Sequence, residues 1–317
     1  TGAVGLALRP SAVELIVAGR GLRGVRLTQT ARIPVSGPEE RHIIEAIRAA
    51  IEGAHLKTKR VAVSIPNHDV LFRFFTLPPL PRGEWETAIK YESRKYIPFP
   101  TDELVWDFHV VEEASPKQLA VVFAGVRKDH FTRVRQWLTE AGVEPLSIEP
   151  HNLGLARVVA MAYPRLRKAF IGVIELDEGS RSAHIAIVKD RLPYLARDVS
   201  LSAAPELHVG LAPQAGVWIA GGSPAPAREA ASGDVFGAQV LSEFRLSLEF
   251  FMREYPTASI TRLLIYGDES VIAPWCQQFM TQLPYAVEVG KLPLGVEGVP
   301  GTLPPASSVG TALQALN

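Results

Sequence analysis

Leu77-Pro78-Pro79-Leu80-Pro81-Arg82-Gly83-Glu84-Trp85-Glu86-Thr87-Ala88-Ile89-Lys90-Tyr91-Glu92-Ser93-Arg94-Lys95-Tyr96-Ile97-Pro98-Phe99-Pro100 is the stretch that decides how this chain is read. Pro78, Pro79 and Pro81 fix φ and exclude helix, so the lead-in is extended or polyproline-like. Trp85, Ala88, Ile89 and Tyr96 then fall on one helical stripe, which predicts an amphipathic helix over 85–96. Pro98 stops it, because the residue before a proline is pushed out of the α region. On these residues alone the segment is a rigid turn followed by a helix packed on a core.

Outward from this segment the chain reads as one pattern used twice. The first copy opens with strands at 3–8, 12–18 and 24–34, with Gly19-Arg20-Gly21 supplying a turn. Ile43, Ile44, Ile47, Ala50 and Ile51 have helical spacing, with Gly53 as a closing residue, and a strand over 60–65 ends at Pro66-Asn67. The second copy repeats the order. Its strands fall at 170–176, 183–189 and 192–199. A helix with Leu241, Phe244, Leu248, Phe251 and Tyr255 on one face follows, then a strand over 262–266 ending at Gly267. A further helix carries Ile272, Trp275, Cys276, Phe279 and Leu283. Between the copies lie strands at 104–111 and 119–124, and a helix at 128–141 with Gly142 as its cap. Residues 200–237 are rich in Ala, Pro and Gly and read as a strand over 216–220 within a loop.

A length of 317 residues exceeds one ordinary core, so two lobes are expected. Hydrophobic content of 47% and charged content of 21% describe a globular chain. The formal net charge is zero, so nothing draws the whole chain to nucleic acid or to an anionic membrane. Cys276 is the only cysteine; it excludes an internal disulfide and reads as a buried small hydrophobe. No run of 18 apolar residues and no signal-peptide pattern is present. The chain opens at Thr1 without a methionine, which leaves room for a short N-terminal extension ahead of it. The eight histidines show no metal-ligand spacing, and none of the common nucleotide or hydrolase motifs occurs.

The wording of the proline-bounded segment resembles "LPxLPxxELxxAIxxExxxYIPFPxDE" of the type IV pilus assembly proteins of the PilM family, actin-like relatives of the cell-division protein FtsA. The match continues through Thr101-Asp102-Glu103 to Asp107. The resemblance implies an α/β fold: an actin-like, FtsA/PilM-type two-lobed duplicated core with an inserted α+β subdomain. On that reading residues 1–75 plus 147–168 form the first lobe and 76–146 the insertion, of the FtsA-like 1C type. Residues 169–199 plus 238–317 form the second lobe, and 200–237 a shortened small subdomain or loop.

An actin-like ATPase holds ATP and Mg²⁺ between its lobes with glycine-bearing hairpin turns and carboxylates. The resemblance implies remnants of that site at Asp177, Gly179, Ser180, Ser182 and Gly267. In the first turn Ala7 stands for the aspartate and Arg9 for the glycine, while Pro10 lacks an N–H. Asp268 and Glu269 would repel a nucleotide. Asp177 is the best remaining carboxylate for a metal, and Arg9 retains a charge that pairs with phosphate. The expectation is a degenerate nucleotide site with no catalytic residue and no metal site. The chain would then be a cytoplasmic scaffold, peripheral to the inner membrane. It would bind the N-terminal tail of a PilN-like membrane protein in a groove beside the insertion, through Leu80, Tyr96, Pro98 and Phe99, and contact other pilus platform proteins. The competing readings are an active actin-like ATPase or sugar-kinase relative, and the cytoplasmic part of a related type II secretion protein.

Overall fold

The structure is a computed structural model and describes residues 2–21, 24–56, 58–115, 118–177, 181–201, 235–295 and 304–316. Unbroken apolar runs make β1 (Ala3–Leu8) and much of β2 (Ala12–Gly21) buried strands, and β3 (Gly24–Pro34) completes a meander. Helix α1 (Glu40–Gly53) buries Ala46, Ile47 and Ala50 against them, and β4 (Arg60–Ile65) follows, parallel to β1. Helix α1 ends in a left-handed residue, but that residue is His55 (φ 46°) rather than Gly53, which stays inside the helix.

The insertion comes next. It holds β5 (Leu71–Leu77), α2 (Trp85–Ser93), β6 (Leu104–Ser115) and β7 (Gln118–Arg127), and its sheet runs β5-β7-β6, all antiparallel. The first lobe resumes with α3 (Lys128–Glu140), β8 (Glu144–Pro150) and α4 (His151–Ala162). The second lobe contains β9 (Phe170–Asp177), β10 (Ser182–Lys189), β11 (Leu192–Ser200), α5 (Val235–Glu254), β12 (Ile260–Tyr266), α6 (Glu269–Met280) and β13 (Ala286–Val289). The short β14 (Leu294–Gly295) and α7 (Ala306–Gln314) close the chain.

The two large sheets carry the same signature. One runs β14-β3-β2-β1-β4-β8 and the other β11-β10-β9-β12-β13. In each, a three-stranded antiparallel meander is extended by two parallel strands from its first strand. Strand-strand-strand-helix-strand-helix-strand-helix occurs twice, interrupted once by the insertion. This is a two-lobed actin-like core.

The repeats fix boundaries that spacing along the chain left open. Helix α3 takes the place in the first repeat that α6 takes in the second. Its Val134 and Leu138 share a core with Ala46, Ile47, Val61 and Val63, so it belongs to the first lobe and not to the insertion. Strand β5 begins at Leu71 and is hydrogen-bonded along its length to β7, so the insertion starts ahead of Thr76. At the far end β14 pairs with β3 and α7 lies on β1 and β2, so the last residues cover the first sheet rather than the second. The reading of 200–237 as a shortened subdomain falls, apart from its ends, outside the described residues.

Helices α4 and α7 cross between the two sheets so closely that side chains are excluded. A Cβ on Gly310 would lie 1.9 Å from the Gly154 carbonyl oxygen, one on Gly154 2.4 Å from the Ser307 oxygen, and one on Gly5 2.4 Å from the Ala312 nitrogen. Helix α3 ends as its sequence predicts. Gly142 adopts φ +76°, its N–H bonds Thr139 O at 3.0 Å, and the Val143 N–H reaches back to Leu138 O at 2.8 Å. Gly142→Ala is expected to cost about 1 kcal/mol in a denaturant melt, because a Cβ penalises that left-handed backbone.

Inside the insertion, Ile89 is fully buried and Trp85, Ala88, Tyr96 and Phe99 pack half-buried around Phe75, Leu77 and Phe123. Helix α2 stops at Ser93, short of Tyr96. Its exit tightens into a turn in which the Lys95 and Tyr96 N–H groups bond Glu92 O and Ser93 O. On the other face of β5, Phe74 meets Tyr194 and Tyr255 of the second lobe at ring distances of 5.1 and 5.0 Å.

Candidate functional site

Among the described residues, the buried polar groups gather where the β1–β2 turn meets the ends of β9 and β10. Arg9 is held at the turn by its own backbone, its N–H bonding Ala12 O at 2.9 Å. Its side chain has no exposed area (0%). Nε donates to Glu14 Oε2 at 2.9 Å, one terminal nitrogen to His184 Nε2 at 3.3 Å, and the other to the hydroxyls of Ser307 at 2.7 Å and Ser308 at 3.2 Å. The carboxylates of Glu175 and Asp177 complete the ring at 3.5 and 3.6 Å. Burial alone would lower the Arg9 pKa, but Glu14, Glu175 and Asp177 more than offset it and hold the guanidinium charged.

The neighbours of Arg9 are themselves tied. Glu175 accepts from the Ser307 N–H at 2.8 Å and from the Ser307 hydroxyl at 2.6 Å, which seats a carboxylate at the N-terminus of α7. The Ser308 hydroxyl donates to Glu14. Arg32, with its side chain 42% exposed, donates to Glu14 from one nitrogen and to Asp177 at 3.2 Å from the other. The ring thus holds two cations against three carboxylates, with the helix end supplying further positive potential.

A second set of contacts lies beside the first. Arginine has only donors, so His184 Nε2 accepts from Arg9 and its Nδ1–H donates to Asp198 at 2.7 Å. Asp198 also receives Asn67 Nδ2 at 3.0 Å and the His68 N–H at 3.1 Å. Burial would raise the Asp198 pKa, but hydrogen bonds from His184, His68 and Asn67 hold it far below the usual carboxylate range. His151 donates Nε2–H to the Leu8 carbonyl at 3.0 Å and accepts at Nδ1 from Ser64 at 2.9 Å. Burial first, then the Arg9 charge, push its pKa well below the ordinary histidine value. Its ring is neutral.

The predicted nucleotide residues divide. Asp177 lies in the ring, but two arginines neutralise it. Ser182 opens β10 opposite Asp177. Gly179 and Ser180 fall outside the described residues. Gly267 packs against Leu176 and Ile272, where a Cβ would meet them at 3.2 and 3.1 Å. Asp268, read from sequence as a repulsive charge, is the N-cap of α6, and its carboxylate accepts the Ser270 N–H at 2.8 Å. Glu269 is the first residue of the same helix. Ala7 is buried in β1.

Arg9 as a free phosphate partner is overturned, because its donors are committed to protein groups. The space between the β1–β2 turn and the end of β9 is filled by the Arg9 side chain. No group of three or more His, Cys, Asp or Glu among the described residues is placed to hold a metal. Burial pushes the Cys276 thiol up to about 11, in keeping with a packed hydrophobe.

The predicted partner residues lie together on the insertion but differ in exposure. Tyr96 stacks on Phe75 at 5.4 Å, and Phe99 sits under the Arg127 guanidinium at 5.3 Å. Leu80 is half-buried, and its carbonyl accepts from Trp85 Nε1 at 2.9 Å. Only Pro98 is open to solvent. Tyr91, which the stripe reading passed over, is 70% exposed on the outer side of α2. Its position off the Trp85-Ala88-Ile89 stripe was the available signal.

Residues 27–202 match the family described as type IV pilus assembly protein PilM. Among solved structures, the chain is similar to one from a PilM-PilN type IV pilus biogenesis complex. Identity is 19% and the TM-score 0.72, with 99% of this chain and 98% of that one covered. It is also similar to the cytoplasmic domain of Epsl, an inner membrane component of the type II secretion system of Vibrio cholerae. There identity is 10% and the TM-score 0.51, with 100% and 94% covered. At these identities the likeness speaks for the fold.

Proposed function

The chain belongs to the type IV pilus assembly protein PilM family, and from that premise we propose that it works as a non-catalytic scaffold of the pilus assembly platform. In this reading it sits at the cytoplasmic face of the inner membrane and binds the N-terminal tail of a PilN-like membrane protein beside the insertion. No helix among the described residues is long and apolar enough to cross a membrane, so the tail would provide the membrane link. The observation that carries the non-catalytic part is the neutralisation of Asp177. A carboxylate whose two oxygens each face an arginine, Arg9 and Arg32, is neutralised, which weakens it as a metal ligand and as a base for activating water. The partner follows from the named complex of the similar structure and from the exposed aromatic and proline surface of α2 and its exit. Rigid side chains of this kind lose little entropy on binding an extended peptide.

Two measurements test the proposal. Phosphate release from Mg-ATP is expected at background, and multiple turnovers would overturn the non-catalytic reading. Binding of a PilN-like tail peptide, read by fluorescence anisotropy, is expected to weaken roughly tenfold in Tyr91→Ala with Pro98→Ala, with the melting temperature unchanged. Equal affinity in the double variant would remove this face from the partner site. Tyr96→Ala is unsuitable for that purpose, since it breaks the stack on Phe75.

A further inference from the structure

We infer that Arg9 is a tethered cation that closes the two lobes on each other in place of a metal-bound nucleotide. The inference rests on the proposed non-catalytic reading of the same cleft and goes on to say what now holds that cleft shut.

Arg9 belongs to the first lobe's hairpin turn, but three of its partners lie across the cleft. Glu175 and Asp177 stand on β9 and His184 on β10, while Glu14 on β2 and Ser307 and Ser308 on α7 hold it from the first sheet's side. A guanidinium stays charged at any accessible pH and offers five donors in a planar fork, so one side chain satisfies carboxylates from both lobes at once. Arg32 repeats the arrangement at the rim, bridging Glu14 of the first lobe to Asp177 of the second. Asn67 and His68, from the turn after β4, reach Asp198 on β11. A dissociable ligand in such a cleft closes the lobes in proportion to its occupancy. A side chain in the same place is always present, so closure is a fixed property of the chain.

Removing the side chain separates this from a merely structural buried ion pair. Arg9→Ala leaves Glu14, Glu175 and Asp177 facing one vacated space. Three carboxylates so disposed repel one another once the cation between them is gone. Three arms are followed by thermal melting, with small-angle scattering for the separation of the lobes. The wild-type chain is expected to keep its Tm and its radius of gyration in millimolar Mg²⁺, with or without ATP. Arg9→Ala is expected to melt roughly 10 °C lower and to have a larger radius of gyration. It is also expected to regain about 3 °C or more in millimolar methylguanidinium, which refills the site.

Arg9→Lys keeps a point charge and loses the fork, so an intermediate Tm is expected; it stands in for the alanine variant should that one fail to fold. A wild-type Tm raised several degrees by Mg-ATP would overturn the inference, because a ligand would then be doing the closing. So would an Arg9→Ala protein with unchanged dimensions and no response to methylguanidinium. Failure here leaves the scaffold reading intact, provided that the tail peptide binds and phosphate release stays at background. Loss of that reading would show in those two measurements instead.

Discussion

Gly310→Leu is expected to give no soluble folded protein, and Gly310→Ala a protein destabilised by about 3 kcal/mol or more. The cause is backbone rather than side-chain crowding. The added Cβ of alanine would stand 1.9 Å from the Gly154 carbonyl oxygen, and neither partner is the movable end of a flexible side chain. Relief requires α7 to move away from α4. That movement would withdraw Val309, Ala312 and Leu313 from the core they share with Ile16, Leu155 and Ile171. It would also pull Ser307 and Ser308 from the carboxylates they bond. Gly83→Ala, where no atom lies within 4 Å of the built Cβ, is the matched control and is expected to stay within about 0.5 kcal/mol of wild type. A Tm for Gly310→Ala within a degree or two of that control would show that the crossing is looser than its distances say.

The second large effect is acid lability that begins near neutrality. His151 is neutral in the folded protein and its pKa there is depressed; in the unfolded chain it takes a proton near the ordinary value of 6.5. Its contribution is therefore complete above pH 6.5 and shrinks as the pH falls, by about 1.4 kcal/mol per unit while only the unfolded state is protonated. Asp198 acts in the same direction but lower down. Its folded pKa is depressed, so its contribution is present above about pH 4 and is lost below it. His68 works the other way. Its hydrogen bond to Asp198 raises its pKa, so it adds stability below 6.5 that fades as the pH rises, and its half-exposed ring is screened by solvent. Urea melts at half-unit steps from pH 7.5 to 5 are expected to show the fall, and His151→Gln to flatten it. A slope that the substitution leaves untouched would assign the lability to another group.

The strands that carry the duplicated pattern were legible because nothing competes with their apolar runs. The bounds of β1 follow from its unbroken apolar run and those of β3 from alternation, and Gly142 announces the end of α3. Other elements were hidden by what they are made of. Strand β5, Leu71-Phe72-Arg73-Phe74-Phe75-Thr76-Leu77, sits against the proline run that drew the reading to its far side. Helix α7, Ala-Ser-Ser-Val-Gly-Thr-Ala-Leu-Gln, has weak intrinsic propensity and is a helix because α4 and the first sheet hold it. The assignment of α3 to the insertion shows a general limit: order along the chain says where a helix falls, not which core it enters. The cluster around Arg9 was the least legible. Arg9 and Asp177 were singled out one at a time, for a ligand. That they serve each other, with His184 lying 175 positions and Ser307 298 positions further along, is a property of the folded chain alone.

The late place in the chain of the helix that lies on β1 and β2 sets an order of events during synthesis. Much of the inner face of the first sheet is made early, by residues 3–65, yet α7, which lies on β1 and β2, is made after every other described element. A ribosome that has released everything through β13 has therefore produced an open first sheet, whose apolar inner face waits for residues 306–314. Until residues 306–314 emerge, the nascent chain stays in a state that invites association through that face. Shielding it over that interval is the cost of covering an early sheet with a late helix.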